Sequence, residues 1–129
     1  MPTDRKTVVL TGASRGIGHA TVMRFSREGW RIITCSREDV PEECKRDPNW
    51  THHITADLSD PASVDRFIAE ALEVLGDAPL HALVNNAAVS PKSAYKERLG
   101  CLNGDLGGWR DVFQLNLFAP LALCRGFAK

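Results

Sequence analysis

Residues 11–18 read Thr11-Gly12-Ala13-Ser14-Arg15-Gly16-Ile17-Gly18, and what flanks this run decides the fold. Before it, residues 6–10 are short, apolar and β-branched, the composition of a buried strand. After it, residues 16–28 carry an apolar stripe of Ile17, Ala20, Thr21 and Phe25 at helical spacing, with Gly29 as a stop. A glycine-rich turn between strand and helix has a specific use. Gly12 permits the tight turn, Gly16 lets a pyrophosphate approach the backbone, and Gly18 lets helix and strand pack closely. The helix N-terminus then offers unpaired N–H groups and a positive dipole end to phosphate. No Gly-Lys-Ser/Thr ends the run, so it is not a Walker loop. The bland alternative, a structural turn with chance glycines, is disfavoured by the strand before and the helix after.

Outward from this turn the alternation continues. Residues 31–35, 53–56 and 80–85 read as strands. Between the last two, Asp60 is a natural N-cap and Pro61 suits the first helical position. Val64, Phe67, Ile68, Ala71, Leu72 and Leu75 follow at helical spacing, closed by Gly76. Residues 37–51, with Pro41 and Pro48, allow only a short helix, and residues 89–108 form a long glycine-containing loop. A last helix runs from about Trp109. The expectation is an α/β fold: a Rossmann-type doubly wound parallel sheet, of which strands ordered 3-2-1-4 with flanking helices make the N-terminal half. Residues 1–129 form one dinucleotide-binding domain.

Composition excludes other classes. With 16 basic and 16 acidic residues the chain has no net charge, so no nucleic-acid or anionic-membrane partner is expected. No apolar run is long enough for a span or leader. Cys35, Cys44, Cys101 and Cys124 are too widely spaced for a metal site and read as reduced thiols, which places the chain in the cytoplasm. His52 and His53 point to opposite faces of a strand and read as surface and packing residues rather than a ligand pair.

The spacing Gly-x-x-x-Gly-x-Gly is similar to that of the short-chain dehydrogenase/reductase family. Three further elements follow in that family's order. Asp57-Leu58 stands after the third strand, where the resemblance implies contact with adenine. Asn85-Asn86-Ala87-Ala88 resembles the family's Asn-Asn-Ala-Gly, with Ala88 replacing glycine. Asn116 matches the helix asparagine of the catalytic tetrad. The resemblance covers the whole chain. It implies a nicotinamide cofactor held by Gly12, Ser14, Arg15, Gly16, Ile17, Gly18, Ser36, Arg37, Asp57, Leu58, Asn85 and Ala87, with Asn116 as a catalytic residue. It also implies a small carbonyl or alcohol substrate and, at full length, a homo-oligomer.

The cofactor is expected to be NADP rather than NAD. An acid about 20 residues beyond the glycines binds the ribose 2′-hydroxyl of NAD, whereas an arginine accommodates the 2′-phosphate. Here the second strand ends in Ser36-Arg37, and Arg15 lies within the turn, so two guanidinium forks can converge on one phosphate. Glu38 and Asp39 argue the other way, because a slightly longer strand would put an acid in that place.

Trp109, Val112, Phe113, Asn116, Pro120, Leu123 and Phe127 share one helical face. Pro120 has no N–H for the Asn116 carbonyl, and its ring presses on it, so a kink and an inward-facing free carbonyl are expected. The resemblance assigns Asn116 a water in a proton relay; the alternative is an asparagine that bonds the neighbouring strand. The family's serine and Tyr-x-x-x-Lys are not found. The one tyrosine, Tyr95, precedes Asn116, and Leu99 stands four residues on. The chain is therefore expected to stop ahead of that segment and to be inactive by itself. Two classes stay open: the N-terminal part of an NADP-dependent oxidoreductase, or a catalytically inactive dinucleotide-binding or scaffold module.

Overall fold

A computed structural model describes residues 5–90, 100 and 102–128. Tyr95, Leu99 and Cys101, which the sequence singles out, lie outside the described residues. Four strands, β1 (Thr7–Thr11), β2 (Arg31–Ser36), β3 (Trp50–Thr55) and β4 (Ala82–Val84), form one parallel sheet in the order β3-β2-β1-β4. The expected Rossmann-type half-sheet is thus present.

Side chains alternate along β1 into two cores. Val9 faces the helices α2 (Pro61–Leu75) and α4 (Ala119–Phe127), where Ile33, Val64, Phe67, Ala71, Ala119 and Leu123 are buried with it. Val8 and Leu10 face α1 (Gly16–Arg27), with Val22, Ile32, Cys44 and Trp50. Burial on both faces explains why β1 reads as a continuous apolar run. Burying a side chain such as Phe67 contributes about 1.5–3 kcal/mol. The α2 helix follows its sequence pattern closely: the Asp60 carboxylate accepts the Ala62 N–H at 3.1 Å, and Val64, Phe67, Ala71 and Leu75 are buried.

The α1 stripe is corrected. Ile17 is 79% exposed and Ala20 is exposed, while Gly18 and Val22 are the buried positions. Contact of Gly18 with the end of β1 sets the helix rotation, and Val22, one turn on, follows it to the sheet.

Two strand boundaries also differ. The third strand starts at Trp50 rather than residue 53, because pairing with β2 passes through a register shift between Ile32 and Ile33. The fourth is three residues long, shorter than 80–85, and side chains accept backbone N–H groups at both of its ends, although the His81 N–H still donates to the Thr7 carbonyl at 3.0 Å. The Thr7 N–H donates to His81 Nδ1 at 3.0 Å, and the Asn86 and Ala87 N–H groups donate to Thr11 Oγ1 at 3.1 and 3.0 Å.

The 37–51 segment holds a single 3₁₀ turn, Glu42–Cys44, as expected of a short helix. Helix α3 (Leu106–Phe113) starts earlier than Trp109 because Asp105 caps it, accepting the Gly108 N–H. At Asn116 the helix does not simply kink. Residues Gln114–Phe118 form a π-turn, with the Ala119 N–H bonded to the Gln114 carbonyl, and α4 follows. A wider turn is one way a helix absorbs the missing donor and the ring of Pro120.

Candidate dinucleotide site

The sheet's strands all end on one side, and the candidate residues collect there, where open α/β sheets bind ligands. Thr11 ends β1 and is buried. Gly12 follows at φ +69° and Gly16 at φ +60°, both left-handed. A Cβ on Gly18 would stand 1.8 Å from the Gly12 carbonyl oxygen and 2.5 Å from Asn86 Nδ2, so only glycine fits. A Cβ on Gly12 would meet the same Nδ2 at 2.9 Å. The Asn86 side chain occupies the notch left by these two missing methyl groups, donating to the Gly12 carbonyl at 3.1 Å. It thereby ties the end of β4 to the glycine turn.

Gly16 differs from the other two. Nothing lies within 4 Å of its Cβ position, so the backbone is open to a ligand there. Helices α2 and α3 have aspartate caps, but α1 begins at Arg15 with no side-chain cap bond among the described residues. Its first N–H groups are left for an acceptor from outside the chain, and the dipole favours an anion. Ser14 is half-buried in this turn; Arg15 and Ile17 are exposed on its open side. The turn therefore fits a pyrophosphate on three counts: an open backbone, an uncapped helix start and an adjacent cation.

At the end of β2, Ser36 is buried and Arg37 is exposed, with no ion pair to any described residue. Asp39 is already engaged. Its carboxylate accepts the Val40 N–H at 2.8 Å and faces Lys45 Nζ at 3.6 Å, and these two hold it below the usual carboxylate range. Beyond β3, Asp57 accepts from the Ser59 hydroxyl at 2.6 Å and the Ser59 N–H at 3.0 Å. The Ser59 hydroxyl, foremost, holds Asp57 below its ordinary range; partial burial opposes this, and the Ser59 N–H and the Arg37 charge assist. Ser63, buried on α2, accepts the Asp57 N–H at 3.0 Å and so fixes its backbone. Arg37, Asp57, Ser63 and Arg66 line a cleft of about 360 Å³.

Other expected residues lie apart from this cleft. The Leu58 side chain is buried in the core, which leaves only its backbone for a ligand. Asn85 is exposed, its amide 3.6 Å from Cys124 Sγ, and Ala87 is half-buried behind Thr11. Asn116, which its spacing puts on an apolar helical face, is exposed. Its amide makes a two-way bridge to the loop after β4, accepting the Val89 N–H and donating to the Val89 carbonyl, both at 2.8 Å. The partner is thus a loop residue beyond β4, not the neighbouring strand itself.

Several contributors escaped the sequence reading. Asn86 sits inside a recognised motif, but which of its two asparagines faces the glycine turn emerges only in three dimensions. Thr11 looked like a strand end. Ser59 and Ser63 gave no signal beyond their proximity to Asp57. Among the described residues no group of three or more His, Cys, Asp or Glu could hold a metal, and no helix is long and apolar enough to cross a membrane.

The sheet order and the glycine turn define a Rossmann-type dinucleotide-binding fold. Within that class the chain belongs to the short-chain dehydrogenase family, which it matches over residues 6–129. It is 48% identical over 124 residues to Protein FixR of Bradyrhizobium diazoefficiens, an alignment spanning 95% of this chain and 45% of that one. It superimposes with a TM-score of 0.86 on a short-chain dehydrogenase/reductase family oxidoreductase from Brucella ovis in complex with a partially ordered NAD, at 52% identity over 96% of this chain and 56% of that one. An NADPH-bound carbonyl reductase from chicken fatty liver, at 24% identity and a TM-score of 0.76, shares the fold, over 96% of this chain and 50% of that one. The chain spans about half the length of these relatives.

Proposed function

We propose that this chain is the cofactor-binding part of an NADP-dependent short-chain oxidoreductase acting on a carbonyl or alcohol. The observation that carries the cofactor assignment is the state of the charges after β2. Asp39 is bonded to Val40 and Lys45, while Arg37 is exposed with no ion pair among the described residues. A 2′-phosphate would complete Arg37 and meet Arg15 from the glycine turn, whereas a 2′-hydroxyl would leave both guanidinium groups without a counter-charge. Bound in this cradle, the dinucleotide supplies hydride-transfer chemistry. The chain's own residues would hold its pyrophosphate at Gly16 and the start of α1, and its adenosine end at Arg37 and Asp57. The NAD of the Brucella protein is that protein's ligand and makes the discriminating experiment direct. Titration of the full-length natural protein with both dinucleotides should show tighter NADP binding, and Arg37→Asp should weaken NADP far more than NAD. An unchanged preference in Arg37→Asp would remove the assignment.

A second reading, a dinucleotide-binding or scaffold module without catalysis, is favoured by one specific observation. Both polar atoms of the Asn116 amide are taken up by Val89. The side chain thus serves the loop after β4, which leaves less of it for a water in a proton relay. Hydride transfer from NADPH to any of a panel of carbonyl compounds by the full-length protein, with loss of turnover in Asn116→Ala, decides for the oxidoreductase.

A further inference from the structure

His53 of β3 stands opposite Thr34 of β2 in the sheet register, and its ring connects the interior of the sheet to the turn that holds Arg37. One nitrogen, Nε2, lies 2.8 Å from the Glu38 carbonyl oxygen and 3.2 Å from Ser36 Oγ. The other, Nδ1, lies 2.7 Å from Thr34 Oγ1, which in turn accepts the Trp50 indole N–H at 2.7 Å. The ends of this chain of contacts dictate its direction. An indole only donates and a carbonyl only accepts. Trp50 therefore donates to Thr34, the Thr34 hydroxyl donates to Nδ1, and Nε2–H donates to the Glu38 carbonyl. The Ser36 hydroxyl donates to that same carbonyl at 2.5 Å. The Trp50 ring meets the imidazole edge-on at 6.0 Å, which fixes the ring plane.

The residues immediately before and after Arg37 are thus both bonded to one ring. This bears on the choice left open by the sequence, where a β2 strand running further would bring Glu38 to the position of Arg37. The Glu38 carbonyl is turned back onto β3 by two donors, and β2 ends at Ser36, whose own carbonyl accepts the Ala56 N–H at 2.9 Å. We propose that His53 is the positioning residue for ribose selectivity: by fixing the Ser36–Arg37–Glu38 turn it presents a cation, not a carboxylate, to the 2′ position of the dinucleotide. The proposal rests on the NADP reading for the sign of the preference, but the experiment reads the two separately. A turn held in place before binding spares the ligand the ordering cost, and slippage by one residue would reverse the charge it meets.

The test uses the full-length natural protein, with 2′,5′-ADP and 5′-AMP as probes that differ only in the 2′-phosphate. The wild-type ratio of their dissociation constants reports on the cofactor assignment. The change in that ratio on His53→Phe, which keeps the aromatic contact but removes both ring hydrogen bonds, reports on His53. The expected result is a drop of about tenfold in selectivity, carried by 2′,5′-ADP, from loss of a well-placed charged hydrogen bond. His53→Gln, which retains a donor for the Glu38 carbonyl, should recover most of it. A folded His53→Phe with an unchanged ratio overturns the proposal. A wild-type protein that prefers 5′-AMP overturns the NADP reading, while a ratio shifted by His53→Phe would still support the positioning role. Should His53→Phe fail to melt cooperatively, ¹⁵N shifts of the wild-type His53 ring decide. They should move on adding 2′,5′-ADP and not 5′-AMP, and identical responses to the two probes would count against it.

Discussion

A single methyl group separates the three glycines of the turn. At Gly18 it would lie 1.8 Å from the Gly12 carbonyl, inside any contact distance, so Gly18→Ala forces backbone to move. At Gly16 it would meet nothing within 4 Å, and the cost is the left-handed φ of +60° alone, about 1–2 kcal/mol. Gly18→Ala should therefore lower the denaturation midpoint well below that of Gly16→Ala, although both glycines belong to one motif. Both variants should weaken dinucleotide binding, and equal midpoints would mean that Gly18 is not wedged against β1. Cys35 gives a second residue-scale expectation. Burial pushes its thiol up to about 12 from an ordinary value of 9.0, with the Gly12 N–H opposing. A thiol raised in the folded state ionises first in the unfolded chain. Its contribution to stability is complete below about pH 9 and is lost as pH rises toward about 12. The urea midpoint of the wild type should fall more steeply above pH 9 than that of Cys35→Ala, and parallel curves would show the site to be wetter than its burial implies. At this scale the sequence reached the glycines, Arg37 and Asp57, because each belongs to a local pattern. It missed Asn86 facing Gly12 and His53 facing Glu38, because those contacts span 74 and 15 residues and depend on register.

Elements were legible where one local signal governs them. Helix α2 has a cap, a proline, a stripe and a stop, all within the segment itself, and it forms as read. Strand β4 is shorter than its apolar run because the Thr7, Asn86 and Ala87 N–H groups go to side-chain acceptors, His81 Nδ1 and Thr11 Oγ1, and which acceptor a backbone N–H finds depends on register. The break at Asn116 was legible from Pro120, but its form was not. A proline says that a helical hydrogen bond is lost, whereas the choice between a kink and a π-turn depends on what the displaced residues touch. Here the displaced residue is Asn116, held to Val89 by two hydrogen bonds of 2.8 Å. Each such bond is worth about 0.5–1.5 kcal/mol net. Asn116→Ala should therefore destabilise the protein by about 1–2 kcal/mol and speed amide exchange at Val89 more than at β1. Pro120→Ala, by permitting a regular helix, should speed the same amide even with Asn116 intact. Protection at Val89 unchanged in both variants would separate the π-turn from the loop it faces.

The whole molecule presents two very different surfaces. The sheet's faces are covered by α1 on one side and by α2 and α4 on the other, and among the described residues no buried side-chain polar atom lacks a partner. The outer side of α3, the π-turn and α4 is the opposite. Leu106, Phe113, Leu117, Phe118 and Leu121 are each more than half exposed, on consecutive turns. Leu117, Phe118 and Leu121 lie within five residues and, at helical spacing, fall within about 100° of arc, so they form one contiguous face. Large contiguous apolar patches are uncommon on monomers and usually mark contact surfaces. The β4 edge of the sheet adds a second exposed feature, since β4 stands at the end of the strand order with one edge unpaired among the described strands. Covering roughly 200–300 Å² of such apolar surface would stabilise by about 5–7 kcal/mol at about 25 cal/mol per Å², comparable to the whole stability of a typical domain, about 5–15 kcal/mol. Residues 1–129 expressed alone should therefore self-associate at micromolar concentration, or melt without cooperativity, even though the glycine turn and its Asn86 anchor are complete. Replacing Phe118 and Leu121 with serine, neither of which belongs to the buried core, should reduce the association without lowering helix content. Size-exclusion chromatography with circular dichroism reads both effects. A monodisperse monomer with a cooperative melt above about 60 °C, near the top of the usual mesophile range, would show that these residues stabilise themselves and that the apolar surface of α3 and α4 needs no cover.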